Sequence, residues 1–506
     1  MKQLIHNGVI APKYEPHGFR IGFKGKILNM DSIQEEMALA WAKKLATEYV
    51  NDRVFAQNFF EDFCKTMCLE GCRSEDFDFS EIVRWVDSEK AKRHAMTSEE
   101  RKRLAQERKT VREANKEKYG WAIVDGQKIE LGNYTVEPAS IFMGRGKHPL
   151  RGRWKEGAKQ SDVILNLSPD APTPLGNWKG RIWEPDCMWV ARWDDPLRGR
   201  EKYIWFSDSS FIKQKREIEK FNKAGDLATH LHSIRAHIDA NLNSRDLLKR
   251  KIATVWYLID ALKFRVGDEK NEDEADTVGA TTLRSEHIRF GDNNVVFHFL
   301  GKDSVEWNIT TQLPEHVVRN LREFIGFNDS LIFYGVNSTN AKAFLEEVAQ
   351  GFSPKVFRIF HATKAVTDTL SKSGVKAHNP LYLKKYEATM ANLEAAKACN
   401  HKRKLPKTWE QSLTRMEERL KTLRAKQETS TKPKQTTKQR ERVHKLRIQI
   451  KMKKKTRDYN LNTSLKSYID PRVYYDWGQK VEFDWKNYYS KTLQKKFGWV
   501  EGSQAH

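Results

Sequence analysis

Charge is segregated in this chain strongly enough to dictate part of its fold. Between His401 and Arg457 stand 21 Lys and Arg against five Asp and Glu, a local net of +16 out of +23 for all 506 residues. A stretch this cationic cannot be wrapped into a core, because buried charges need partners that the segment lacks. Its few apolar residues are nevertheless ordered: Leu413, Met416, Leu420 and Leu423, then Val443, Leu446 and Ile450. Steps of three and four place each series on one helix face. Thr408-Trp409-Glu410-Gln411 reads as a capping box at the first helix start. The polar run from Thr429 to Thr437, with Pro433 inside it, interrupts the pattern. The spacing predicts a narrow antiparallel helical hairpin. It is either a solvated helix pair without a partner or a surface that meets phosphates regardless of sequence.

Several classes are excluded early. No run of ~18 apolar residues is available to span a bilayer, and the segment Met1 to Pro16 lacks the apolar stretch of a secretory signal. Five cysteines are too few, and odd in number, for a disulfide scaffold, which points to a reducing interior. A soluble intracellular chain with a pI near 9.5 is expected to meet a polyanion.

Elsewhere the pattern alternates between helix and strand. Ser98 to Lys118, opened by the capping box Thr97-Ser98-Glu99-Glu100, predicts a helix charged on nearly every face. Residues 119–210 carry short strand-like runs, Trp121–Val124, Val163–Leu167, Met188–Trp193 and Tyr203–Phe206, between Gly, Pro and Asp turns. From 213 to 265 the period becomes helical, through Leu227, Leu231, Ile234, Ile238 and Leu242. A second helix from Leu248 to Leu262 is expected to be capped by Ser244 and stopped by Gly267. A strand at Val295–Leu300 precedes mostly helical sequence up to His401.

Taken one at a time, the candidate chemical features are weak. Cys64, Cys68 and Cys72 recur at steps of four, which on a helix puts them on one face. The spacing matches no common zinc or iron–sulfur pattern, so packed, inert thiols are expected. The acidic run Asp268 to Asp276 reads as a solvated loop rather than a two-metal site. No GxxxxGK[ST] phosphate loop occurs. Gly144-Arg145-Gly146-Lys147-His148-Pro149 can present N–H groups and cations to a phosphate, but a basic turn has the same composition. Arg265, Lys302, Arg358, His401 and Tyr468, considered singly, are ordinary surface or core residues.

Their surroundings change that reading. Leu262 to Lys270 followed by Ala275-Asp276-Thr277-Val278-Gly279 resembles the first arginine block of eukaryotic-type type IB DNA topoisomerases. Phe299-Leu300-Gly301-Lys302-Asp303-Ser304 is similar to the lysine block, and Lys355-Val356-Phe357-Arg358 to the second arginine block. Cys399-Asn400-His401-Lys402-Arg403 with Pro406-Lys407-Thr408 resembles the histidine block. Ser467-Tyr468-Ile469-Asp470-Pro471-Arg472 resembles the nucleophile block. Ala11 to Pro16, Asn58-Phe59-Phe60 and Gly144 to Pro149 also match, so the likeness is collinear over nearly the whole chain. Two positions depart from the pattern: Ser467 where the family usually has Asn, and Asp268 where it often has Asn. A compact form without the long N-terminal extension is implied, of archaeal type or a truncated nuclear one.

The resemblance implies an α+β multidomain clamp. A mixed N-terminal cap of two subdomains (1–212) would face a mainly helical, tyrosine-recombinase-like catalytic core (213–405). A basic hairpin linker (406–457) and a small helical C-terminal domain (458–506) would follow. It assigns Tyr468 as nucleophile on a DNA phosphodiester, giving a 3′-phosphotyrosyl link. Arg265, Arg358 and His401 would stabilise phosphoryl charge, and Lys302 would protonate the leaving 5′ oxygen. DNA contacts are implied for Arg145, Lys147, His148, Thr277, Asp303, Lys355 and Ser467. The expected partner is double-stranded, especially supercoiled, DNA, met by a monomer at the chromosome with no membrane role. No cofactor is expected: no ATP, no metal ligands, and a divalent metal at most stimulatory. The competing readings are a tyrosine site-specific recombinase and a non-catalytic basic DNA-binding protein.

Overall fold

The computed structural model describes residues 1–144, 146–267, 278–301, 305–327, 331–428 and 433–502. Backbone contacts divide the described residues into two compact units, Met1–Lys213 and those from Gln214 onward. Within the described residues no helix is long and apolar enough to cross a membrane. The fold is α+β.

The first unit has two cores. One is built on helices α1 (Ser32–Ala42), α2 (Arg53–Thr66) and α3 (Ser80–Ala95), with a small sheet in which Arg20–Phe23 lies between Lys26–Asn29 and Phe77–Asp78. Phe55, Phe59, Phe60, Phe63 and Trp41 stack there at full burial. The other core lies among short strands. Trp121–Val124 pairs with Leu4–His6 and Gln127–Glu130, while Trp189–Asp195 joins Ile164–Asn166 to Arg200–Trp205. The strand-like runs in 119–210 are strands. Helix α4 (Ser98–Tyr119) opens with the expected Thr97–Glu100 capping box and buries none of its side chains.

The cysteines differ from expectation. Helix α2 stops at Thr66, and exposed Cys68 takes a left-handed φ of 55°, so the three residues do not share a helix face. The chain turns back instead, and Cys72 reaches Cys64 in a disulfide with a Cα separation of 6.2 Å. The turn, which periodicity does not reveal, converts two expected packed thiols into a bridged pair.

The second unit has one continuous core, centred on Trp256, Phe264, Phe297, Phe357 and Tyr474. Helices α5 (Phe211–Asn241) and α6 (Leu247–Leu262) lead into a three-stranded antiparallel sheet, Ile288–Phe290, Val295–Gly301 and Val305–Thr311. Helices α7 (Glu315–Phe327), α8 (Ser338–Glu346), α9 (Pro354–Ser371) and α10 (Leu381–Ala398) complete its main body. The α6 boundaries correct the expected ones. Its cap is Asp246, whose carboxylate accepts from Leu248 N–H at 2.9 Å and Lys249 N–H at 3.2 Å, while Ser244 only caps Asp246 itself. It ends not at a glycine but at Lys263, held at φ 60°, ψ 30°.

The predicted hairpin is present. Helices α11 (Trp409–Glu428) and α12 (Pro433–Lys455) pack together, and α12 also packs on α10. Val443, Leu446 and Ile450 are buried, whereas Leu413, Met416, Leu420 and Leu423 are half-buried. Helices α13 (Leu461–Ser467), α14 (Pro471–Val481) and α15 (Lys491–Lys496) close the chain against the second core.

Candidate active site

Tyr468 lies in the short turn between α13 and α14. Its N–H and that of Ile469 both return to the Ser464 carbonyl, at 2.9 and 3.1 Å, which ends α13. Asp470 then caps α14, with Pro471 at the first helical position. The turn is held from several sides. The Thr363 hydroxyl on α9 donates to the Tyr468 carbonyl at 3.3 Å and accepts from Asp470 N–H at 3.1 Å. Buried Arg472 forks onto the Asp470 carboxylate and donates to Asn222 of α5 at 2.9 Å. Lys496 donates to the Lys466 carbonyl at 3.0 Å and pairs with Glu217 at 3.2 Å. Lys220 donates to the same Glu217 at 2.6 Å and lies 3.5 Å from the Ser467 carbonyl. Each of the three residues leading through Tyr468 thus has its carbonyl fixed by a side chain.

Two guanidinium groups converge on the phenol ring. Arg358 sits near the start of α9, 2% exposed, with its guanidinium carbon 5.3 Å from the Tyr468 ring centre. One Nη donates to the Cys399 carbonyl at 2.9 Å and the other to the Lys263 carbonyl, while Nε has no partner among the described residues. The left-handed turn at Lys263 ends α6 where its own carbonyl can receive Arg358. A non-glycine residue in this conformation is strained, and strain of this kind gathers at functional sites. Arg265 follows two residues later on a segment pinned by Ala280 N–H to its carbonyl at 2.8 Å. There Gly267 and Gly279 approach so closely that a Cβ on Gly279 would stand 2.3 Å from the Gly267 Cα, so no side chain fits. Burial, followed by the Arg358 charge, lowers the Arg265 pKa, and nearby Tyr468 offsets part of that shift. Among the described residues neither arginine pairs with a carboxylate. Buried Arg358 and half-buried Arg265, with no counter-charge among the described residues, favour an anion that enters.

His401 completes the group. It is 5% exposed, and its ring centre lies 4.8 Å from that of Tyr468. Asn400 at φ 51° turns the chain off α10, and the His401 N–H returns to the Ala396 carbonyl at 2.8 Å. Nδ1 is 2.7 Å from the Ser464 Oγ, and Nε2 has no partner among the described residues. Burial, with the Arg358 and Arg265 charges, drives its pKa down to about 3, so the ring is neutral at physiological pH. The ring thus stands beside the two arginines as a neutral group rather than a third cation.

The structure therefore brings four of the five expected catalytic residues together: Tyr468, Arg265, Arg358 and His401. Lys302 lies outside the described residues; the strands on either side of it are antiparallel partners ending at Gly301 and Val305. Arg145, Thr277 and Asp303 also lie outside them. Of the remaining expected DNA contacts, Lys147 and Lys355 are exposed, and Ser467 is half-buried at the end of α13. His148 is buried: its Nδ1 accepts from Leu150 N–H at 3.1 Å and its ring meets Phe142 edge-on, which makes it a brace for its loop. Sequence reasoning missed Ser464, Thr363, Glu217, Lys220 and Lys496. Only the position of Ser464, one helical turn before Tyr468, hinted at any of them. Among the described residues no group of three or more His, Cys, Asp and Glu is placed to hold a metal ion.

Comparison with known proteins follows the same geography. Residues 1–206 match the family model for the eukaryotic DNA topoisomerase I DNA binding fragment, and residues 209–457 match that for its catalytic core. Residues 440–506 match a C-terminal topoisomerase domain. DNA topoisomerase 1 beta of Arabidopsis thaliana is 32% identical over 99% of this chain, which spans 58% of that relative's length. The mitochondrial DNA topoisomerase I of Rattus norvegicus is 31% identical, with 99% of this chain and 91% of the relative covered. DNA topoisomerase 1 of Homo sapiens is 30% identical over 99% of this chain and 70% of its own length.

Proposed function

This chain belongs to the eukaryotic DNA topoisomerase I family, and from that premise we propose that it relaxes supercoiled duplex DNA as a type IB enzyme. The observation that carries the reading is one phenol, Tyr468, buried against a neutral imidazole and two guanidinium groups that pair with no carboxylate among the described residues. A phenol with an ordinary pKa near ~10 is a poor nucleophile at neutral pH until cations stabilise its phenolate. Tyr468 gives up its phenolic proton to solvent, and its Oη attacks the scissile phosphorus and forms a 3′-phosphotyrosyl bond as the bond to the 5′ oxygen breaks. That oxygen leaves as a hydroxyl with a proton from Lys302, a role that rests on the family resemblance. Lysine can give up a proton where arginine cannot. Arg265 and Arg358 face the charge that gathers on the non-bridging oxygens, and His401 donates a neutral hydrogen bond to it.

The cut strand then rotates about the intact one, and the 5′ hydroxyl attacks the phosphotyrosine to restore the backbone. The bond energy stays in the covalent link, so the cycle uses no ATP and no obligatory metal, with divalent ions at most stimulatory. We assign the first unit to a cap that closes on the duplex and the hairpin to contact with DNA beyond the cut, the enzyme acting as a monomer on chromosomal DNA. Relaxation of supercoiled plasmid in EDTA without ATP, by wild type beside Tyr468→Phe, tests the reading. Relaxation by wild type alone is expected. Relaxation by both proteins, or by neither while both retard the plasmid, would overturn it.

A further inference from the structure

We propose that Ser464 is a positioning residue that sets the tautomer of His401, its hydroxyl donating to Nδ1 so that Nε2–H is the donor left for a non-bridging phosphoryl oxygen. The proposal rests on the phosphoryl-transfer reading above and adds a residue that the motif blocks do not mark.

The argument is one of proton counting in a dry place. Ser464 is fully buried and His401 is 5% exposed, with 2.7 Å between Oγ and Nδ1. A neutral imidazole carries one N–H and one lone pair, and a hydroxyl carries one hydrogen. Among the described residues the Ser464 hydroxyl meets one acceptor, His401 Nδ1. If the ring proton sat on Nδ1 it would donate to Oγ. The hydroxyl hydrogen would then be buried without an acceptor, and Nε2 would turn a lone pair toward the incoming anion. With the proton on Nε2 the Oγ–Nδ1 contact is satisfied at both ends, and the one group left without a partner among the described residues is an Nε2 donor on a ring whose centre lies 4.8 Å from that of Tyr468. Arg358 and Arg265, with burial, keep the ring from escaping the choice by taking a second proton.

Ser464 also couples the two groups it serves. Its carbonyl receives the N–H groups of Tyr468 and Ile469, while its hydroxyl holds the ring of His401. The Asn460 N–H binds the His401 carbonyl at 2.6 Å, so the start of α13 is tied to the same histidine. One helical turn thereby sets both where the nucleophile leaves the helix and which nitrogen of the imidazole can donate.

Two measurements on the full chain test this. In protein labelled with ¹⁵N-histidine, the His401 ring signals, identified by their loss in His401→Gln, should show a protonated Nε2 and a bare Nδ1. A proton on Nδ1 in the wild type would overturn the proposal. Single-turnover cleavage of a suicide duplex then separates positioning from mere packing. Ser464→Ala should slow cleavage by about 10- to 100-fold at unchanged retardation of the same duplex, and Ser464→Thr, which keeps the hydroxyl, should restore the rate to within a few-fold. In a His401→Ala background the added Ser464→Ala should cost nothing further. An equal loss in both backgrounds would mean that Ser464 only packs, and no loss in either would sink the idea. Should wild type fail to cleave at all, the phosphoryl-transfer reading fails, and the ring signals still decide the tautomer.

Discussion

His401 shows how a residue type recognised in a sequence can act in a state the sequence does not reveal. A histidine among phosphate-facing cations suggests an imidazolium, yet burial beside Arg358 and Arg265 lowers its pKa to about 3 from a usual value near 6.5. The sign for stability follows. Between pH 3 and 6.5 the unfolded chain binds the proton and the folded chain does not, so stability rises with pH across that window and is lost as pH falls through it. Wild type should therefore lose more stability to urea between pH 7 and pH 5 than His401→Gln does. The cleavage rate should show no break from this ring between pH 5 and 8, and His401→Gln should be slower with a profile of the same shape. A break near pH 6.5 present only in the wild type would show that the ring is charged when it works.

At the scale of elements, what was legible in the sequence was what depends on spacing along one helix or strand. The hairpin faces through Leu446 and Ile450, the Thr97 capping box and the strand at Val295 all follow from local period. Where the chain turns was less legible. Asp246 outcompetes Ser244 for the α6 cap because its carboxylate takes two N–H groups, and Lys263 accepts a left-handed conformation because Arg358 binds its carbonyl. The catalytic side chains could be named from blocks of sequence, but their supports could not. Lys220 and Lys496 lie 247 and 30 residues from the carbonyls they hold, and nothing in their own neighbourhoods marks them. Glu217 sits between these two lysines and makes their burial tolerable. Even with it, burial lowers the Lys220 pKa to about 8. Glu217→Gln would leave two buried ammonium groups against one neutral amide, so a loss on the order of 3 kcal/mol is expected. Urea denaturation of the full chain at pH 7 measures it. Lys220 itself should become easier to deprotonate, with a pKa below its present value of about 8, so part of the loss should return as pH rises toward 8. A loss independent of pH would mean that the lysines do not share Glu217.

For the molecule as a whole, the distribution of charge separates affinity from chemistry. Most of the net +23 lies in the segment that contains α11 and α12, while the cations beside Tyr468 are few, Arg358 buried and Arg265 half-buried. Exposed hairpin cations act on a polyanion through counterion release, which lowers log K by about 0.9 per phosphate contact for each tenfold rise in salt. In the proposed reaction Arg358 and Arg265 meet one phosphoryl group, and charges this far withdrawn from solvent are screened far less. Lys421, Arg424, Lys438 and Lys445 are exposed on the two hairpin helices, clear of the buried Val443, Leu446 and Ile450 face. Replacing all four by glutamine should leave the melting temperature nearly unchanged, because no core contact is lost. The salt slope of plasmid binding should become shallower by about 0.9 for each side chain that met a phosphate. Single-turnover cleavage at saturating enzyme and low salt should stay within a few-fold of wild type, since the proposed chemical step rests on Tyr468, Arg265, Arg358 and His401. An unchanged slope would place the hairpin off the DNA and return it to the reading of a solvated helix pair. A loss of cleavage at saturation would mean that the hairpin helps assemble the site.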